Sequence, residues 1–395
     1  MTCLSPSAPA ILRGMAANKR TKLFLVPGFF GFNSIGALNY FNRVDRVLGE
    51  ALADLGETVD IVECETMPTG SIRNRSLRLL DEVVAAGGLE ADAIHFVGHS
   101  TGGLDIRLLL TPGVRLRPGD DEGEVAARTR TAITLCTPHF GTPLANYGNS
   151  LQGRNLLQFL SVMATSEQGR YGLFAAAQLT RLIAEFDDRL GRRDTALDVL
   201  AKRLFKSISL SDDDPLWQFL QEMSEDQGAV VQLTPAGMDL FNAAVNDRPG
   251  VRYGAVVTAA PPPRFRRLAQ MGSIDRGTRY TVFSLLHRLT ASRPGNYPYP
   301  SPGTEALRHL MDAFPFVVER ASNDGIVPTF SQSYGVLVHA AVADHLDVVG
   351  QFYDAGGQPY ADWLPSGSAF DETAFVELWR RIADFMGTEG DLGTS

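Results

Sequence analysis

One serine in this chain sits where a nucleophile would: Ser100, in Gly98-His99-Ser100-Thr101-Gly102. A hydroxyl attacks a carbonyl only when a base removes its proton, and a carboxylate must hold that base in the right tautomer. Of the seven histidines, His95 and His99 precede the serine in the same apolar run and His139 follows the next run. His287 and His309 fall in helical stretches, and His339 lies inside the last strand-like run. His345 follows that last run, in a loop just before a helical stretch, where an imidazole can overhang the serine. The carboxylate read for it is Asp324, in the polar turn Asn323-Asp324-Gly325-Ile326-Val327-Pro328 after a strand-like run. Such a turn can aim an acceptor at the histidine's distal N–H. Asp347 competes for the role, but two residues from His345 on a helix it points elsewhere. The order serine, acid, histidine is one of the known chain orders of such a triad. The chemistry is attack on a carbonyl through a covalent acyl-serine.

A tetrahedral intermediate also needs N–H donors for its oxyanion. The Thr101 N–H, at the start of the helix after the serine, is one candidate. The other is the Phe29 N–H, in the Pro27-Gly28-Phe29 loop after the first core strand, with Gly28 letting the backbone approach. Phe29, Phe30 and Phe32 would wall the site with apolar surface. Phe30, Phe32 and His99 are the expected substrate-binding side chains.

These groups need rigid elements beneath them. Residues 94–98 form a short apolar run, Ser100 a sharp turn, and residues 104–110 a helix-capable segment. Gly98 and Gly102 give the turn its clearance, with Gly103 in reserve. Residues 23–26, 59–62, 132–136, 251–258 and 335–341 read as further strands. Residues 39–55, 71–86 and 373–386 read as helices, and the charged stretch 115–130 as a surface loop. Strands alternating with helices imply a mostly parallel sheet with helices on both faces, an α/β class. From 149 to 245 the alternation stops. Helical patterns at 151–163, 173–186, 194–204, 215–223 and 235–245 read as an inserted helical lid. A second helical excursion spans 264–312 and holds a Pro/Gly/Tyr-rich loop, 293–303, expected near the entrance. The expected division is a disordered leader over 1–20, a core over 21–148 and 246–390, and a lid over 149–245.

The bulk numbers set limits. A chain of 395 residues with 44% hydrophobic content can bury a large core. Its net charge of −9, with acids and bases mixed along the chain, argues against a nucleic-acid partner. Of the three cysteines, Cys64 and Cys136 lie in strand-like runs and read as buried thiols; no CxxC pair suggests a metal. No apolar stretch reaches the roughly 18 residues of a membrane span. Lys19, Arg20 and Lys22 precede an apolar run that Pro27 and Gly28 interrupt, so it is not read as a signal peptide and a cytoplasmic location is favoured over secretion.

Taken together the motifs resemble those of the α/β-hydrolase superfamily, and within it the bacterial triacylglycerol lipases and esterases. The residues that carry the resemblance are Pro27 to Phe32, Gly98 to Gly103, Thr137 to Thr142, Asn323 to Val327 and His345 to Gln351, in the family's order. Leu233 to Gly237 and Gly250 to Tyr253 are similar too. The likeness covers roughly residues 20–150, 230–260 and 315–355. It implies an α/β-hydrolase fold with an inserted lid. It also implies a serine carboxylic ester hydrolase acting on small-molecule or lipid esters, with transient contact at a lipid interface. Acyl transfer, thioester hydrolysis or polyester depolymerisation with the same triad is the alternative. A binding protein on this fold usually lacks a triad member, and haloalkane or epoxide chemistry uses aspartate at the elbow. There are departures from the family pattern. Pro27 stands where the family's oxyanion loop opens with histidine, and neither the family's secretion signal nor its disulfide is evident. The family's calcium ligands include the positions of Asp347 and Gln351, but the upstream carboxylate is missing near His309, with Asp312 out of register. No cofactor is therefore expected, with calcium the lesser alternative.

Overall fold

The apolar runs pair side by side. In the computed structural model the strands are β1 (Thr21–Val26), β2 (Ser34–Ile35), β3 (Leu38–Asn39), β4 (Val59–Glu63), β5 (Ala93–His99), β6 (Thr129–Leu135), β7 (Arg252–Ala259) and β8 (Val336–Val342). Six of them form one sheet in the order β4-β1-β5-β6-β7-β8, parallel at every pairing. The two-residue strands β2 and β3 form a separate antiparallel pair. The structure describes residues 20–29, 34–35, 38–148, 226, 228–269, 271–272, 274–292, 299–300, 302–353 and 362–387.

Both faces of a parallel sheet must be covered, and the inner strands β1, β5, β6 and β7 are accordingly almost wholly buried. Leu23 and Leu25 point to one face, where α1 (Val44–Asp54) and the closing helix Glu372–Gly387 pack Val47, Leu48, Leu378, Trp379 and Ile382 against them. Phe24 and Val26 point to the other face. There α2 (Ile72–Ala85), α3 (Thr101–Leu110) and α4 (Asp121–Arg128) supply Leu79, Leu80, Ile106, Leu109 and Val125. Phe24 stacks on Phe96 at 5.5 Å between ring centroids. Each such fully buried side chain contributes about 1.5–3 kcal/mol. The closing helix also reaches the segment after His345: the Trp379 indole N–H donates to the Val348 carbonyl at 3.1 Å, three residues past His345.

The structure departs from the sequence reading in four places. The stretch 115–130 is not all loop: α4 spans Asp121–Arg128 and buries Val125 and Ala126. Its acids Asp121, Glu122 and Glu124 lie in the first turn, where the helix dipole favours them, so charge density there marks a helix start. The helix expected from residue 39 begins at Val44, after β3 and a left-handed Arg43. The helix expected after His345 is one short turn, Asp347–Val349, stopped by Gly350 at φ 86°. Asp324 does not follow a regular strand; Asn323 makes only an isolated bridge to Pro328 and accepts the Ala260 N–H beside the end of β7. The excursion after β7 is helical as expected, with helices Phe265–Leu268, Ile274–Ala291 and Thr304–Ala313. Of the expected lid, residues 149–225 lie outside the described residues. Its described end holds helices Gly228–Gln232 and Pro235–Ala244, the second capped by the Thr234 hydroxyl accepting the Gly237 N–H at 3.1 Å. The expected leader, up to residue 19, and most of the 293–303 loop also lie outside the described residues.

Candidate active site

Ser100 is the single residue between β5 and α3, at φ 54° and ψ −125°. An L-residue held there stores about 1–3 kcal/mol of strain. The surroundings keep it there. Its N–H donates to the Leu135 carbonyl at 2.8 Å, and its carbonyl accepts the Gly103 N–H at 3.2 Å. The glycines are spatial necessities. A Cβ on Gly98 would lie 2.6 Å from the Gly102 and Gly103 backbone, one on Gly102 would strike the Val26 carbonyl, and one on Gly103 the Thr137 hydroxyl. On the facing loop, a Cβ on Gly28 would come 2.5 Å from the Ser100 Cβ. Only glycine lets that loop approach the serine.

Asp324 and His345 meet directly. The His345 Nδ1–H donates to Asp324 Oδ2 at 2.8 Å, and the His345 backbone N–H donates to the Asp324 carbonyl at 3.0 Å. Asp324 is fully buried yet saturated with donors. Its Oδ1 accepts the Ile326 and Val327 N–H groups at 2.9 and 2.7 Å; its Oδ2 also accepts Gln332 Nε2 at 3.1 Å and lies 3.2 Å from the Thr258 hydroxyl. These donors stabilise the carboxylate in place of water. The Thr137–Thr142 segment steadies the same turn, the Thr142 hydroxyl donating to the Ile326 carbonyl at 2.6 Å. Its His139 is fully buried between Thr134, Arg107 and the Tyr334 ring, and is structural.

Thr101 opens α3, so its N–H is among the four that no residue of the helix can accept, and it lies beside Ser100. Phe29 follows Gly28 on the facing loop and is half-buried. Phe30 and Phe32 lie outside the described residues. His99 is the third side chain expected at the substrate. It is fully buried, with one ring nitrogen 2.8 Å from the His345 carbonyl oxygen and the other 2.7 Å from the Tyr40 hydroxyl. Its ring packs against the His345 ring at 4.7 Å.

Three supporting groups escaped sequence reading. Arg75 and Asp105 form an ion pair with no exposed side-chain surface, Nη2 to Oδ2 at 2.8 Å. Arg75 also donates to the Pro27 and Gly28 carbonyls at 2.9 and 3.1 Å, and to the Met67 carbonyl, so it ties the Gly28 loop to α2 and α3. Burial pushes the Asp105 carboxyl up to about 6, with the Arg75 charge pulling it back. The signal for Arg75 was a charge on the apolar face of α2, in line with Ile72 and Leu79. Gln332, bound to both Asp324 and Thr258, left no local signal.

The Asp347–Gln351 pair does not by itself make a calcium site, since one carboxylate and one amide oxygen fall short of the roughly six to eight oxygens the ion takes. Asp347 Oδ2 accepts the Asp344 N–H at 2.8 Å and the Ser368 hydroxyl at 2.9 Å, while Asp344 Oδ1 accepts the Asp347 N–H at 3.2 Å, so the two acids cap each other's backbone. The Gln351 amide donates to the Asn39 carbonyl at 2.8 Å. Among the described residues, no trio of carboxylates brings its oxygens within metal-sharing distance. His99, Cys136 and His345 do bring ligand atoms within 4.8 Å, but His99 has both nitrogens engaged and His345 gives one to Asp324.

The nearby acids carry a pH signature. Burial raises Asp344 and Asp347 well above the usual carboxylate range, each further raised by neighbouring acids. Burial raises Asp362 from 3.8 to about 6, with Arg276 and Arg279 opposing. A folded-state value above the unfolded one means the folded protein holds the proton more tightly. The stability this gives is full below about pH 4 and is lost as pH rises through about 6. Asp362→Asn should therefore gain melting temperature relative to wild type between about pH 4 and 7 and hold that gain above. Melts from pH 4 to 8 that keep a constant difference would contradict this.

No protein-family model and no curated relative matches the sequence. Solved structures do. The chain superposes on EstA from Clostridium botulinum with a TM-score of 0.51 and 17% identity, over 94% of this chain and 87% of that one. Lipase 1 from Pelosinus fermentans gives 0.50 and 17%, over 94% of this chain and all of that one (100%). With the parallel sheet and the strand–turn–helix around Ser100, the fold is that of the α/β-hydrolases.

Proposed function

We propose that the protein hydrolyses carboxylic esters of acyl chains by way of an acyl-serine. The observation that carries this reading is the 2.8 Å contact of His345 Nδ1 with Asp324 Oδ2, with the His345 ring 4.7 Å from the ring of His99, the residue before a serine held at φ 54°. In this reading His345 Nε2 takes the Ser100 proton as Oγ attacks the ester carbonyl, and Asp324 stabilises the resulting imidazolium. The Phe29 and Thr101 N–H groups receive the oxyanion. His345 then returns the proton to the leaving alcohol, and a water molecule activated by the same imidazole releases the acid. The name of the Pelosinus fermentans neighbour agrees with an ester substrate. Acyl lipids are the substrate class, and a lid over residues 149–245 would cover the acyl chain. In the described residues no helix is long and apolar enough to cross a membrane.

Initial rates on p-nitrophenyl esters from acetyl to palmitoyl, with EDTA and then with calcium, test the reading. Turnover indifferent to EDTA is expected, because among the described residues no trio of carboxylates shares a metal position. A fluorophosphonate should label Ser100. No turnover and no labelling would overturn the proposal; product analysis with added alcohol separates hydrolysis from acyl transfer.

A further inference from the structure

His99 sits between two loops that both touch the chemistry. Its Nε2 faces the His345 carbonyl oxygen at 2.8 Å, and a carbonyl only accepts, so Nε2 carries a proton. Burial depresses protonation of the second nitrogen, which leaves Nδ1 as an acceptor for the Tyr40 hydroxyl at 2.7 Å. The Tyr40 oxygen accepts the Gly28 N–H at 2.8 Å. The chain of hydrogen bonds thus has one direction: Gly28 N–H to Tyr40, Tyr40 O–H to His99, His99 N–H to His345. Its first member adjoins Phe29, the proposed oxyanion donor, and its last is the proposed base. Tyr40 is itself fixed from the base side. The Asn42 N–H and side-chain amide donate to the Val349 and Gly350 carbonyls, both at 2.9 Å, and the Tyr40 ring packs edge-on against Phe41 at 5.1 Å.

We propose that Tyr40 and His99 are positioning residues that join the oxyanion loop to the base loop, so that the Phe29 N–H and the His345 imidazole are held in one frame. The proposal rests on the ester-hydrolase reading of Ser100 and His345. A side chain that only filled space would affect folding and substrate binding. One that aims an oxyanion donor affects the transition state, where misplacement alone can cost up to about 10²-fold.

The test compares wild type with Tyr40→Phe, His99→Leu and the double variant. Tyr40→Phe keeps the ring and removes only the hydroxyl. Its kcat is expected to fall about 10- to 100-fold with KM within about twofold. Affinity for a trifluoromethyl ketone, which forms a tetrahedral oxyanion on Ser100, should weaken by the same factor. The double variant should be no worse than the worse single one, because a chain broken once is broken. If His99→Leu does not fold, His99→Gln, which keeps an N–H toward His345, takes its place in the cycle. Wild-type kcat and ketone affinity in Tyr40→Phe would overturn the proposal. So would effects that multiply in the double variant, or a loss confined to KM. Where wild type labels with fluorophosphonate but turns over no ester, the labelling rates replace kcat and the same ratios decide. A wild type that neither labels nor turns over sinks the hydrolase reading and this inference with it, whereas an active wild type with an unaffected Tyr40→Phe sinks the inference alone.

Discussion

Ser100→Ala is expected to lower kcat on p-nitrophenyl esters by roughly 10⁴- to 10⁶-fold, the range for removing a serine nucleophile. The fold should survive. Alanine keeps the Cβ that packs against Gly28 and bears the φ of 54° no worse than serine does. The turn is held by backbone bonds to Leu135 and Gly103 and by the clearance of Gly98, Gly102 and Gly103, none of which the substitution touches. Turnover assays, fluorophosphonate labelling and a thermal melt on one preparation check this. An unchanged melt with lost turnover and lost labelling is the expected triple, and retained turnover would remove Ser100 from the mechanism.

Asp324→Asn is the second large effect, about 10⁴-fold in kcat. The Asp324 carboxylate accepts at both oxygens. An asparagine has one oxygen, and the Ile326 and Val327 N–H groups at 2.9 and 2.7 Å claim it. The new NH₂ then faces His345 Nδ1, which must turn acceptor and pass its proton to Nε2. The base becomes a donor toward Ser100. Gln332 Nε2 also meets a donor in place of an acceptor, an unmade buried hydrogen bond worth about 1–3 kcal/mol. Urea melts should show that loss beside the kinetic one. A kcat within tenfold of wild type would mean that Asp324 does not set the tautomer of His345.

Much of this site was legible because its chemistry is local. Glycines around a serine, a polar Asn-Asp-Gly turn and a histidine after the last strand are signals within a few residues of the groups they serve. The sheet was legible for the same reason, as most of its strands hold a short run of apolar and β-branched residues, although β4 includes Asp60 and Glu63 and β6 Arg130. What stayed hidden acts through space. Tyr40 meets His99 across 59 positions, and His99 meets the His345 carbonyl across 246. No periodicity marks such a partner. Gln332 binds Asp324 from the next turn but looks like any polar loop residue. Reading α4 as loop failed on proportion: eight residues bury only an apolar pair and one acid, so the charges dominate the pattern. His99 drew attention through its place beside Ser100, while its partners Tyr40 and His345 lie far from it in sequence.

The strand order bears on how the chain leaves the ribosome. After β1, strands β4 and β5 take its two edges, and β6, β7 and β8 are laid one after another on the growing side. Among the described strands none must be wedged between two already paired, so the sheet can grow with the emerging chain instead of waiting for its end. The serine turn is braced as soon as β6 arrives, through the Leu135 carbonyl. Asp324 and His345 come with the last pairing. In the proposed reading, a half-made chain thus carries the nucleophile with nothing to activate it, and stays inert toward surrounding esters until β8 docks.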